Sequence, residues 1–146
     1  MLVIEKGILI SRPQQQVFDF VSNPANWAKI EGPVESAEWT SEGPPRAGST
    51  ASSKSRFLGR KMETTYEVTI WDPPVRFARK ALNMPFSADL TFVFESLANG
   101  TQVTVIWQGE FRSLLRIAEG ILNGQLEKAI NKDLSALKHV MEEGQA

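Results

Sequence analysis

The sequence predicts an α+β fold. A single antiparallel sheet of about seven strands is covered on one face by a long C-terminal helix, and two short helices follow the first strand. Three observations carry this. From Ser113 to Glu142, Leu114, Ile117, Ala118, Ile121, Leu122, Leu126, Ala129, Ile130, Leu134, Leu137 and Met141 recur every three or four residues, the stripe of one helical face. Before it, strand-like segments follow one another through tight turns, which implies antiparallel pairing. Those segments alternate apolar and polar residues, so one sheet face meets water and the other needs a cover.

Residues 2–10 form the first strand. Ser11 can cap a helix in which Pro13 suits the first turn, and Val17, Phe18 and Val21 supply its apolar edge. Asn23-Pro24 ends it and starts another turn of helix, Ala25 to Ile30, carrying Trp27. Gly32-Pro33 breaks that turn. Strands follow at Val34–Thr40, Ser49–Leu58, Lys61–Trp71, Val75–Leu82, Pro85–Leu97 and Thr101–Phe111. Asp72-Pro73-Pro74 is a strong turn, and Gly100 supplies positive φ to the hairpin after Ala98 and Asn99. Met62, Thr64, Tyr66, Val68 and Ile70 share one parity. So do Phe86, Ala88, Leu90, Phe92 and Phe94, and then Val103, Val105 and Trp107.

The 146 residues suit one domain, and Thr40–Gly48 is too short to be a domain linker. With 42% hydrophobic and 23% charged residues the chain is globular in composition. A net charge of -1 gives no footprint for nucleic acid. The absence of cysteine excludes disulfides, thiolate metal sites and a Cys nucleophile, and fits a cytoplasmic location. The N-terminal apolar run is interrupted by Glu5 and Lys6 and reads as a strand, not a signal peptide. No segment is apolar enough to span a membrane; Arg116, Glu119, Glu127, Lys128, Lys132 and Asp133 exclude the last helix.

The segment Ile8 to Pro24, ILISRPQQQVFDFVSNP, followed by Asn26-Trp27, resembles the opening of the START-like (SRPBCC) superfamily, in particular its polyketide cyclase/dehydrase-type branch. Gly48 after a Pro-Pro loop, Gly59-Arg60-Lys61, and Asp72 to Phe77 (DPPVRF) agree with it. The resemblance spans nearly the whole chain. It implies a helix-grip fold: a strongly bent sheet wrapped round the C-terminal helix with a cavity between them. It also implies hydrophobic or aromatic small molecules or lipids as ligands, with cyclisation or dehydration in some members.

Candidate site residues follow from parity and composition. Arg79, between Phe77 and Ala81, falls on the covered parity, where a guanidinium needs a carboxylate or an anionic ligand, unless a strand end or register shift leaves it in water. Tyr66 lies on the same kind of parity and can donate to a ligand carbonyl or bond to backbone. Trp39, Phe57, Phe92, Phe94, Trp107 and Phe111 can line an aromatic cavity or fill a core. Gly120 and Gly124, each costing a helix about 1 kcal/mol, either let the sheet approach or leave room for a ligand. Asn123 and Gln125 are polar groups close by. The single histidine, His139, sits where a helix C-terminus favours its cation, in solvent; a catalytic role would require it to point into the cavity mouth. Glu110 is either a base at the cavity mouth or a surface partner of Arg112 or Lys80.

One histidine and no recognisable carboxylate spacing leave no metal site, and no cofactor is expected. Three functions compete. The first is binding of a hydrophobic small molecule with Tyr66, Arg79, Phe92, Trp107, Gly120 and Gly124 around it. The second is a cyclase, dehydratase or isomerase on an aromatic or polyketide-like substrate. The third is a co-chaperone-like interaction module with a filled core and an exposed apolar patch. A homodimer is compatible with each.

Overall fold

The computed structural model describes residues 2–57, 59–83, 87–110 and 119–144. The helix start expected at Ser113, the stripe positions Leu114, Ile117 and Ala118, and Phe86, Phe111 and Arg112 lie outside these residues, as does the side chain of Phe57.

Seven strands form one antiparallel sheet in the order β1-β7-β6-β5-β4-β3-β2. They are β1 (Leu2–Ile10), β2 (Val34–Trp39), β3 (Thr50–Phe57), β4 (Arg60–Asp72), β5 (Arg76–Ala81), β6 (Ser87–Leu97) and β7 (Gly100–Glu110). Between β1 and β2 lie α1 (Gln14–Val21), a single 3-10 turn (Pro24–Asn26) and α2 (Trp27–Ile30); the chain closes with α3 (Glu119–Glu143). This is the helix-grip arrangement. Irregular register between Val34 and Ser36 and between Val68 and Ile70 marks bulges that bend the sheet.

Register lines up the covered face strand by strand. One row crosses Val68, Arg79, Leu90, Trp107 and Ile4; the next crosses Trp71, Phe77, Phe92, Val105 and Lys6. Directly opposed residues on one face pack against each other, so each row acts as a layer of core. Aromatic rings join the layers: Phe77 stacks on Phe92, and Phe18 of α1 meets Trp71 and Phe94 edge-on at 5.3 and 5.6 Å.

Three local expectations need correction. The bulge after Val68 flips the parity of β4, so Trp71 packs into the core where alternation places Ile70. Met62, on the apolar parity, is 40% exposed because the outer end of β4 extends beyond the helical cover. Ser11 does not cap α1: Pro13 occupies that position with no side-chain bond, and the Ser11 N–H donates instead to Glu142 Oε2 at 2.8 Å.

Helix α3 packs along β1 and against α2. Its C-terminal half is tied down by long-range bonds. Arg12 Nε donates to the Met141 carbonyl at 2.8 Å, and Lys138 Nζ donates to the Leu9 carbonyl at 2.7 Å and to Glu142 at 2.7 Å. Ile130, Leu134, Leu137 and Met141 are buried there, whereas Ile121 near the other end is 70% exposed. Among the described residues, no helix is long and apolar enough to cross a membrane.

Candidate functional site

A cavity of about 30 Å³ lies between the sheet and the middle of α3. Leu90, Phe92 and Val105 form its sheet side, Ile130, Leu134 and Leu137 its helix side, and Ile30 closes it from α2. Two carboxylates break this apolar wall: Glu31, just after α2, and Asp133, on α3. Glu31 is there because the chain leaves α2 at this residue and turns through Gly32-Pro33 into β2. Asp133 is there because it falls three residues after Ile130 and four before Leu137, on the helical face that α3 presents to the sheet.

Behind Glu31 stands Arg79. Its position in β5 puts it in the covered row between Val68 and Leu90, and it is 4% exposed. Arg79 Nη2 donates to Glu31 Oε1 at 2.5 Å. The guanidinium carbon lies 4.0 Å from the centre of the Trp27 ring and 4.6 Å from that of Tyr66, and the two rings meet edge-to-face at 5.5 Å. The cation is therefore held by one carboxylate and two π faces. Burial works to lower the Arg79 pKa, but Glu31, Tyr66 and Asp133 outweigh it and hold the group above its ordinary value. Its Nε–H is buried and finds no hydrogen-bond partner among the described residues.

Asp133 is the perturbed acid of the site. Desolvation first, and the negative charge of Glu31 second, push its pKa up to about 7; the Gly32 backbone N–H, Arg79 and Lys132 pull the other way. At neutral pH this carboxyl is divided between its acid and its base forms, beside a second carboxylate with a fixed counter-ion. That is the raw material of acid–base chemistry at an apolar wall.

Of the residues expected at a site, Phe92 lines the cavity, and Tyr66 and Arg79 stand together beside Glu31. Trp107 is half-buried directly across from Leu90, with its ring lying over Gly109. Among the described residues, Gly120 and Gly124 are not in the cavity wall, and a Cβ at either would meet nothing within 4 Å, so no described sheet backbone approaches them. Phe94 is core and Trp39 packs against it, meeting Trp71 edge-on. The His139 side chain is 71% exposed and bonded to Glu143. Glu110 is exposed, and Lys80 pairs with Glu67 at 3.9 Å. Among the described residues no acid and histidine cluster could hold a metal ion.

Glu31, Asp133 and Trp27 were not among the expected site residues. Asp133 carried a signal: an acid embedded in an apolar stripe. Glu31 carried none beyond the requirement that an inward Arg79 find a carboxylate.

A family model described as polyketide cyclase / dehydrase and lipid transport matches residues 1–142. Among solved structures, TTHA0849 from Thermus thermophilus has a TM-score of 0.81 at 16% identity, covering 99% of this chain and 100% of that one. The di-domain ARO/CYC BexL from the BE-7585A biosynthetic pathway has a TM-score of 0.81 at 19% identity, covering 95% of this chain and 46% of its own. The Aha1 dimer from Colwellia psychrerythraea has a TM-score of 0.70 at 20% identity, covering 100% of both chains. At these identities the likeness is one of fold. Comparison with curated proteins gave no match.

Proposed function

The chain belongs to the polyketide cyclase / dehydrase and lipid transport family, and from that premise we propose that it binds a hydrophobic or aromatic small molecule, lipid- or polyketide-like, between the sheet and α3. The observation that carries this reading is the cavity itself: apolar walls drawn from both layers, with polar side chains gathered at one point. In this reading Phe92 and Trp107 form the aromatic wall, Tyr66 and Arg79 the polar flank, and Gly120 and Gly124 leave room along the helix.

At about 30 Å³ the cavity has room for roughly one or two waters. Ligand sites run to roughly 300–1,000 Å³, so binding requires α3 to move away from the sheet. The helix is suited to moving at one end. Its C-terminal half is tied to β1 and the turn after it through Arg12, Ser11 and Lys138, whereas a Cβ at Gly120 or Gly124 would meet nothing within 4 Å among the described residues. The exposed Ile121 is then the apolar side chain with most to gain from a ligand beside it.

Native mass spectrometry of the protein as purified is the direct test, followed by thermal unfolding with aromatic and fatty probes. A co-purifying small molecule, or a probe that raises the melting temperature, supports the reading. A bare protein that no hydrophobic probe stabilises overturns it and favours the interaction-module reading. One observation favours a second reading, catalysis as a cyclase, dehydratase or isomerase: Asp133 titrates near neutrality against the cavity. Loss of turnover in Asp133→Asn with ligand binding retained would select it. Light scattering would test self-association, which the dimeric fold of Aha1 motivates.

A further inference from the structure

Which polar group on a ligand can enter this cavity follows from what faces it. Of the nine described residues of its wall two are acidic, Glu31 and Asp133, and none is basic. Arg79, the cation behind Glu31, is not part of that wall; its Nη2–H is spent on Glu31 and its planar group lies against the Trp27 and Tyr66 rings. An anionic head group arriving here would meet carboxylates in a low-dielectric setting, and like charges repel strongly where water is excluded. A donor would find acceptors on both sides.

We propose that the cavity selects apolar molecules whose polar end donates a hydrogen bond, an amine or a hydroxyl, and rejects the matching carboxylates. This rests on the cavity reading above. It inverts the simpler expectation that a buried arginine marks an anion site, because Glu31 has already taken that charge. The titration of Asp133 supports it: the groups facing Asp133 are Glu31 after α2, Arg79 on β5 and Lys132 on its own helix. A bound cation would relieve the repulsion from Glu31 and release the Asp133 proton.

The test compares decylamine, decanol and decanoate, three ligands with one chain and three head groups, by isothermal titration with the full chain at about pH 8, where the amine is charged and the acid ionised. The amine and the alcohol are expected to bind at least tenfold more tightly than decanoate. Near neutral pH the amine's binding enthalpy should vary with buffer in the sense of proton release. Asp133→Asn should cut the preference for amine over decanoate by about tenfold while leaving decanol affinity within threefold.

Decanoate binding as tightly as the amine overturns the head-group selection alone. Failure of all three to bind overturns the cavity reading and this inference together. Should Asp133→Asn not fold, the comparison in the native protein decides: an amine bound at least tenfold more tightly than decanoate supports the proposal, and equal affinity overturns it.

Discussion

Replacing Arg79 by methionine removes a guanidinium from beneath two aromatic rings and leaves Glu31 without its partner. The side chain is 4% exposed and that of Glu31 19%, so the pair is largely shielded from water. Breaking a buried pair by deleting one member costs about 3–5 kcal/mol, most of it the penalty of the stranded charge. The partial exposure of Glu31 puts the cost at the lower end. Loss of the cation over Trp27 at 4.0 Å and Tyr66 at 4.6 Å adds about 1 kcal/mol. Methionine keeps the apolar stem and returns part of this through its sulfur–aromatic contact. The expected net loss is about 3 kcal/mol, a large share of the roughly 5–15 kcal/mol of a typical domain. Urea unfolding followed by tryptophan fluorescence reads this directly, because Trp27 sits in the cluster; the midpoint should fall by about 1–2 M. The double variant Arg79→Met, Glu31→Gln removes the stranded charge and should recover at least half of the loss. A loss under about 1 kcal/mol, or a double variant no more stable than the single one, would refute the reading of this pair as a buried structural ion pair.

Other perturbations have equally definite outcomes. Asp133 holds its proton up to about pH 7 in the folded chain against 3.8 for the ordinary carboxyl, so between these values the native state binds a proton that the unfolded state has released. Stability should therefore fall as pH rises through this window, by roughly 2–4 kcal/mol. Asp133→Asn should flatten that slope and be more stable than the parent at about pH 8; an unchanged slope in denaturant titrations would count against the burial of this acid. Gly120→Ala and Gly124→Ala meet open space, so each should raise the urea midpoint by the equivalent of up to about 1 kcal/mol, whereas a loss would mean that these positions are crowded. Gly100→Ala should cost about 1–3 kcal/mol: its φ is 144° and a Cβ there would collide with the Ile10 carbonyl. Arg12→Ala releases the Met141 and Glu142 carbonyls and should speed hydrogen exchange in the last two turns of α3 without altering its N-terminal turns.

Part of the site was legible residue by residue, and where it was not the reason is specific. Parity with Phe77 left Arg79 either inward or, after a register shift, in water; the regular pairing of β5 from Arg76 to Lys80 turns it inward. The same logic failed for Ile70, since one bulge between Val68 and Ile70 reverses every side chain beyond it. Asp133 could have been singled out by its place between Ile130 and Leu137, but a charge in a helix reads first as a bar to membrane insertion. Glu31 could not be read, because its role depends on a partner 48 residues away.

Alternation, turn chemistry and helical period are local properties, and they determined the strands, the two short helices, the closing helix and hence the layered α+β architecture. The pairing of Glu31 with Arg79, the approach of Asp133 to both, the small volume left beneath α3 and the acidic character of that space are properties of distance between segments far apart in the chain. Only the tertiary structure decided those, because charge, burial and hydrogen bonding act through space and take no account of sequence separation.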